Sequence, residues 1–433
     1  MSRKNIYDKD VTYDILKPIV DRCTRLSYSR MEIRGTENVP TDGAVIIAAN
    51  HCNTLMDALV ILKSFKNESV FGARADMFKR PFIAKIMFFV RILPMVRQRD
   101  GLRNVLKNYE SIDTITDTLE SGVRFCMYPE GRHRPAHSLL PLGKGVLRAA
   151  LAANLRFGES KPVYIVPAGI EYGDYFRYRS TCLVTFGKAL NVTEYIKSLE
   201  VENEAQMMEP LRKELRTRMS ELITYIEDDE KLAEKWALTR ILARDDARQG
   251  DLTDRMQHNR YVISQIEKAL EIKPEETEKV LRKAVELDIK RKNAGISIWS
   301  FGRRNTAANA IIKTLIAVLG LPYFIFAAIA SLPMWLTFEL LRRKLKDKAF
   351  HNTAGFGIKL AMGPLVFLTW AILAFSLTAW PVALLISLLV ISSYGFFYDF
   401  KEFIRTYISD LKLLSNKKLS SMYNEILSDF AKI

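Results

Sequence analysis

AANHCNTLMDALV, residues 48–60, ends an apolar run on Asn50-His51 and resumes as an apolar helical stretch that carries Asp57. Strand, polar turn and helix in that order are the local grammar of an α/β fold, whose loops hold functional groups at the ends of strands. The turn displays a histidine. A hydroxyl that acts as a nucleophile must lose its proton, and a neutral imidazole is the side chain best matched to taking it near pH 7. His51 is therefore the candidate base. A carboxylate on the other ring nitrogen would set the tautomer and stabilise the imidazolium, and Asp57 is the nearest acid in sequence.

Outward from this stretch, four runs rich in Val and Ile have the length of buried strands: Ala44 to Ala49, Val123 to Pro129, Val163 to Ile170 and Cys182 to Gly187. They alternate with helical stretches, which predicts an α/β domain over residues 1–198 with a central mixed sheet and flanking helices. Residues 199–300 change to a charged, helical texture. Leu211, Leu215, Leu222 and Ile226 make one apolar stripe there, and Leu281, Val285 and Ile289 another, both read as core faces. Lys273-Pro274-Glu275-Glu276 reads as a helix start.

Residues 301–433 read as a membrane anchor with a basic loop and a cytoplasmic tail. Two apolar blocks, Thr314 to Phe338 and Ala361 to Phe397, flank the basic run Arg342 to Lys348. A bilayer requires roughly 20 apolar residues per helical span, so the second block allows two spans broken at Trp380-Pro381. The first block is either one tilted span or a re-entrant hairpin kinked at Gly320 and Pro322. Arg303, Arg304, the basic run, Lys401 and Arg405 all fall on one face if the first block is re-entrant, as the positive-inside tendency asks.

The 64 Lys plus Arg exceed the 49 Asp plus Glu, a formal charge of +15 that favours anionic partners. The apolar C-terminal third turns that choice toward lipid; no nucleic-acid motif accompanies it. Cys23, Cys52, Cys126 and Cys182 lie far apart and lack CxxC pairing, and the first ten residues are polar. Together these predict a reducing, cytoplasm-facing catalytic region with small buried cysteines. A metal site on His133, His137 and Glu130 is disfavoured because Pro135 spoils a single helical face.

Further blocks accompany His51 and Asp57: FFVRILPMVRQRDG (88–101), MYPEGRHRP (127–135), LLPLGKGVLRAALAA (139–153) and VYIVPAGIEYGD (163–174). Their order and spacing over roughly residues 30–190 resemble the glycerolipid acyltransferase superfamily, which includes lysophosphatidate and glycerol-3-phosphate acyltransferases. Five residues separate His51 from Asp57 where the family usually has four. That spacing resembles the branch acylating glycerol 3-phosphate or dihydroxyacetone phosphate.

The resemblance implies direct acyl transfer to an sn-1 hydroxyl, with His51 and Asp57 catalytic and no metal or redox cofactor. It implies a glycerol-phosphate acceptor, an acyl-CoA or acyl carrier protein thioester as donor, and a lipid bilayer as partner. Glu130 and Gly131 carry over from the family's third block, while His133 stands at the family's arginine position and leaves Arg132 or Arg134 to contact phosphate. Arg97, with Arg99 as its alternate, matches the second block's phosphate grip. Asn50 is placed at the substrate and Pro167 near the acyl chain; Lys144 either touches phosphate or solvates a turn.

Overall fold

Six consecutive buried residues, Ala44 to Ala49, demand neighbours on both edges and both faces of their strand. The computed structural model provides them; it describes residues 5–95, 105–199, 201, 203–227, 229–243, 251–302 and 307–433. The chain forms two compact units, one of residues 1–176 and 180–223, the other of residues 177–179 and 224–433.

The first unit runs α1 (Val11–Leu26), β1 (Arg30–Arg34), β2 (Ala44–Ala49), α2 (Leu55–Lys63), β3 (Ser69–Arg74), α3 (Pro81–Phe89), β4 (Ile92–Met95), α4 (Val105–Glu120), β5 (Arg124–Met127), α5 (Gly145–Phe157), β6 (Val163–Tyr172), β7 (Thr181–Phe186), β8 (Leu190–Asn191), α6 (Val192–Ser198) and α7 (Glu204–Ser220). The sheet order is β1-β7-β6-β2-β5-β3-β4, with β8 also on β6. Strand β2 pairs parallel with β5 and β6, whereas β6 and β7 are antiparallel, so the sheet is mixed as expected. The four anticipated strands are present, β2 with the expected bounds and the other three with shifted ends, and β1, β3, β4 and β8 join them. Strand β4 contains Pro94 and lies at the sheet's edge, the place where a missing N–H is tolerated.

Helix α1 is tied to α2 by a buried lysine. Lys17 Nζ donates to Phe65 O at 2.8 Å and pairs with Asp21 at 2.7 Å. A cation just past the end of α2 complements that helix's negative terminus.

The second unit comprises α8 (Leu232–Leu242), α9 (Leu252–Ile272), α10 (Pro274–Asn293), α11 (Ala307–Ala330), α12 (Leu332–Lys344), α13 (Phe350–Leu377), α14 (Trp380–Ser415) and α15 (Lys417–Phe430). Leu238, Ile266, Leu281, Leu287 and Ile426 share one core, so α15 returns to pack with the charged helices. Pro274 does open α10. The anticipated stripe is shifted, because Ile289 is exposed while Ala284 and Leu287 are buried. In the first unit, Leu222 lies beyond the end of α7.

Helices α11, α13 and α14 are each long and apolar enough to cross a bilayer, which associates the chain with membrane. The hinge expected at Gly320 and Pro322 is absent, since α11 runs through both to Ala330. Gly320 serves close packing instead: a Cβ there would lie 2.4 Å from the Phe400 ring. The break falls at Ser331, between α11 and α12.

Rising positions on α11 meet falling positions on α14, Lys313 pairing with Asp410 and Tyr323 donating to Leu389 O at 2.8 Å. Along α12 the order reverses. Trp335 stacks on Phe397 at 5.3 Å, and Glu339 pairs with Lys401 at 3.6 Å. Helices α11 and α12 are thus a hairpin that turns at Ser331. Its exposed carbonyls find indole donors: Trp335 Nε1 donates to Ala328 O at 2.7 Å and Trp370 Nε1 to Ala330 O at 3.1 Å. Such satisfaction is what a helix end inside hydrocarbon requires.

Candidate active site

The turn between β2 and α2 brings His51 Nδ1 to 2.7 Å from Asp57 Oδ2. Thr54 takes φ +46° and ψ −125°, which curls the five intervening residues tightly enough for that contact. Asp57, in the first turn of α2, is fully buried, and its partners are all donors. The backbone N–H groups of Cys52 and Asn53 donate to Oδ2 at 2.8 and 2.7 Å, and the Tyr172 hydroxyl donates to Oδ1 at 2.7 Å. The helix N-terminus adds favourable potential for negative charge. A carboxylate so surrounded accepts from the ring as well. Nδ1 therefore carries the proton and Nε2 is left with its lone pair, the tautomer a general base needs.

Glu130 holds the backbone of this turn. Its Oε1 accepts from His51 N at 2.9 Å and its Oε2 from Leu140 N at 2.8 Å. Burial raises the Glu130 carboxyl above its ordinary range, against the lowering effect of those two donors, His51 and Arg134. Gly131 adopts φ +67° with open space around it, so the glycine meets a backbone need. The Tyr128 ring lies parallel to the His51 imidazole at 4.4 Å, and His133 meets it edge-on at 5.8 Å.

Arg134 is anchored beside the base through its N–H, which donates to His51 O at 2.8 Å, and its guanidinium also reaches Ser138 Oγ. Arg132 is exposed in the same loop. Lys144 is exposed at the start of α5, next to Gly143, whose N–H donates to Pro129 O at 2.7 Å. Arg97 and Arg99 lie outside the described residues, as do Arg303 and Arg304.

Asn50 is buried, with Oδ1 accepting from Ile170 N at 2.7 Å and Nδ2 donating to Ile170 O at 3.0 Å and to Cys52 Sγ at 3.1 Å. Its amide thus pins the turn to β6 and braces it internally against Cys52. Pro167 pairs in register with Ala48, on the face of β6 opposite Tyr172. It packs near Gly187 and Leu222 along a cleft that also includes Phe186 and Arg218.

Tyr172 and Arg216 are additions that the sequence reading missed. Arg216 on α7 donates to Leu140 O at 2.9 Å and Leu139 O at 3.2 Å, bracing the segment whose N–H holds Glu130. Tyr172 stood within the quoted fourth block, two residues beyond the Ile170 that fixes Asn50.

Residues 30–171 match the family model described as Acyltransferase. No curated protein matches the chain. Among solved structures, the 1-acyl-sn-glycerophosphate (LPA) acyltransferase PlsC from Thermotoga maritima is similar at 18% identity and a TM-score of 0.35, over 50% of this chain and 83% of that one. Residues 30–171, within the first unit, thus carry an acyltransferase domain.

Proposed function

We propose that the enzyme transfers a fatty acyl group from an acyl thioester, of coenzyme A or acyl carrier protein, to the sn-1 hydroxyl of glycerol 3-phosphate or dihydroxyacetone phosphate. The product feeds phospholipid synthesis, and the active site faces the cytoplasm. The observation that carries the chemistry is the 2.7 Å contact between His51 and a buried Asp57 whose partners are all donors.

His51 Nε2 takes the hydroxyl proton as the acceptor oxygen attacks the thioester carbonyl carbon. The tetrahedral intermediate expels the thiolate as the C–S bond breaks, and the imidazolium returns the proton to sulfur. Asp57 accepts from the imidazolium and stabilises it. Tyr172 holds Asp57, and Glu130 holds the His51 backbone. Arg134, with Arg132 on the same loop, binds the acceptor phosphate; Arg97, Arg99 and Lys144 add positive charge. The five-residue His51–Asp57 spacing favours the sn-1 acceptors over lysophosphatidate.

Membranes carrying the wild-type chain or His51→Ala, given labelled acyl thioester and each acceptor separately, test the reading. Loss of the base lowers the rate on the order of a hundredfold or more. Turnover of lysophosphatidate alone reassigns the acceptor. Transfer that does not depend on His51 overturns the mechanism.

A further inference from the structure

The first unit exposes apolar surface that its own fold leaves uncovered. On α1, Val11 is 76% exposed and Ile15 64%, and Ile19 lies one turn further on the same face. The opposite face of α1 is the buried one, with Tyr13, Lys17 and Thr24 turned inward. Phe82 on α3 is 72% exposed, and Ile86 and Phe88 are also exposed.

A set of ring and guanidinium contacts links these helices. Tyr13 meets Phe89 edge-on at 6.5 Å, and the Arg91 guanidinium lies 4.8 Å from the Tyr13 ring centre. Arg91 is fully buried and donates to Ile6 O at 2.9 Å and Asp8 O at 2.8 Å, which fastens the N-terminal segment to the end of α3.

Charge decides the occupant. Residues 77–91 read MFKRPFIAKIMFFVR, without a single acid, and Lys79, Arg80 and Lys85 are exposed among the apolar side chains. Cations interleaved with aromatic and aliphatic groups are the composition of a surface lying in a bilayer interface, where the rings enter the acyl boundary and the cations meet anionic headgroups. We infer that α1 and α3 form a lipid-docking surface on the acyltransferase unit, separate from the candidate spans and selective for anionic bilayers.

The test uses the full chain in vesicles, in a Cys23→Ser background, with an environment-sensitive dye on Ile15→Cys, Phe82→Cys or Leu155→Cys. Leu155 is 88% exposed on α5 and serves as the control. With phosphatidylglycerol present, nitroxide on the lipid acyl chains quenches dyes at 15 and 82, while aqueous iodide quenches the dye at 155. Reversing Lys79, Arg80 and Lys85 to Glu removes most of the lipid quenching at 82, and pure phosphatidylcholine vesicles weaken it in the unreversed chain. Iodide access at 15 and 82 matching that at 155 overturns the proposal. So does shielding without lipid quenching, the signature of a protein covering the face. Quenching indifferent to charge reversal and to lipid charge overturns the anionic selectivity.

Discussion

At the residue scale, the base is set by what surrounds its partner. Every hydrogen-bond partner of Asp57 is a donor, so removing one alters the carboxylate and through it the imidazole. Tyr172→Phe deletes a buried donor to a charged group, an interaction worth roughly 1.5–3 kcal/mol. Steady-state kinetics of this variant are expected to show kcat lowered about tenfold or more, with little change in KM. Cys52 gives the opposite result. Burial, with Asp57 and Glu130 nearby, pushes its thiol well above the usual range, so it stays neutral and unreactive. A folded value above the unfolded 9.0 means that its contribution to stability is full below about pH 9 and falls as pH rises beyond it. The expected results are activity retained in Cys52→Ala within about threefold, no maleimide labelling of the folded wild type at pH 7 to 9, and a melting temperature falling above pH 9. Maleimide capture of Cys52 in the folded enzyme with loss of turnover would support a thiol intermediate instead. His51 and Asp57 were legible because strand, turn and helix sit within ten residues. Tyr172 was not, because its contact spans 115 positions and depends on the register of β6 beside β2. The Asn50 contact was hidden for the same reason, since its partner Ile170 is 120 residues away.

At the element scale, strands built on runs of buried apolar residues announced themselves, and the edge strands β1 and β4 did not. Strand β1, RMEIR, carries charges at both ends, and β4, ILPM, contains a proline. Their hydrophobic signal is weak because only part of each is covered, and their identity as strands comes from pairing with β7 and β3. Helix α7 shows the same limit in functional form. Its Leu211 and Leu215 were readable as a core stripe, while the role of Arg216 between such positions depends on the carbonyls that happen to face it. Arg216→Ala removes two charge-assisted hydrogen bonds from the segment that positions Glu130, which in turn holds His51 N. The expected kinetic result is a kcat about tenfold lower with KM for the acyl donor little changed. Arg216→Lys should recover part of the loss, because one of the two carbonyls can still be reached. A fall in melting temperature with kcat intact would show that α7 only covers the domain.

At the scale of the whole molecule, the membrane arrangement follows from packing in the second unit. Helices α10 and α15 share a core, so the chain between them must end on the face of the bilayer where it began. Three full crossings would violate that, and the contacts of α14 show how it is avoided. Phe324 on α11 and Trp335 on α12 both stack on Phe397, so the chain passes the same depth twice, in opposite directions, around Ser331. Helices α13 and α14 then form a second hairpin, which turns at Thr378-Ala379. Helix α14, with 36 residues, is about 54 Å long, more than a hydrocarbon core of about 30 Å requires. Its C-terminal part, with Asp399, Lys401 and Glu402, is therefore expected to extend into water. The prediction is that single cysteines at Lys346 and Lys418 react with a membrane-impermeant maleimide from the same side of sealed vesicles, and one at Thr378 only from the other. Labelling of 346 and 418 from opposite sides would mean that α11 crosses completely, and that the indole-capped break at Ser331 is not a turning point.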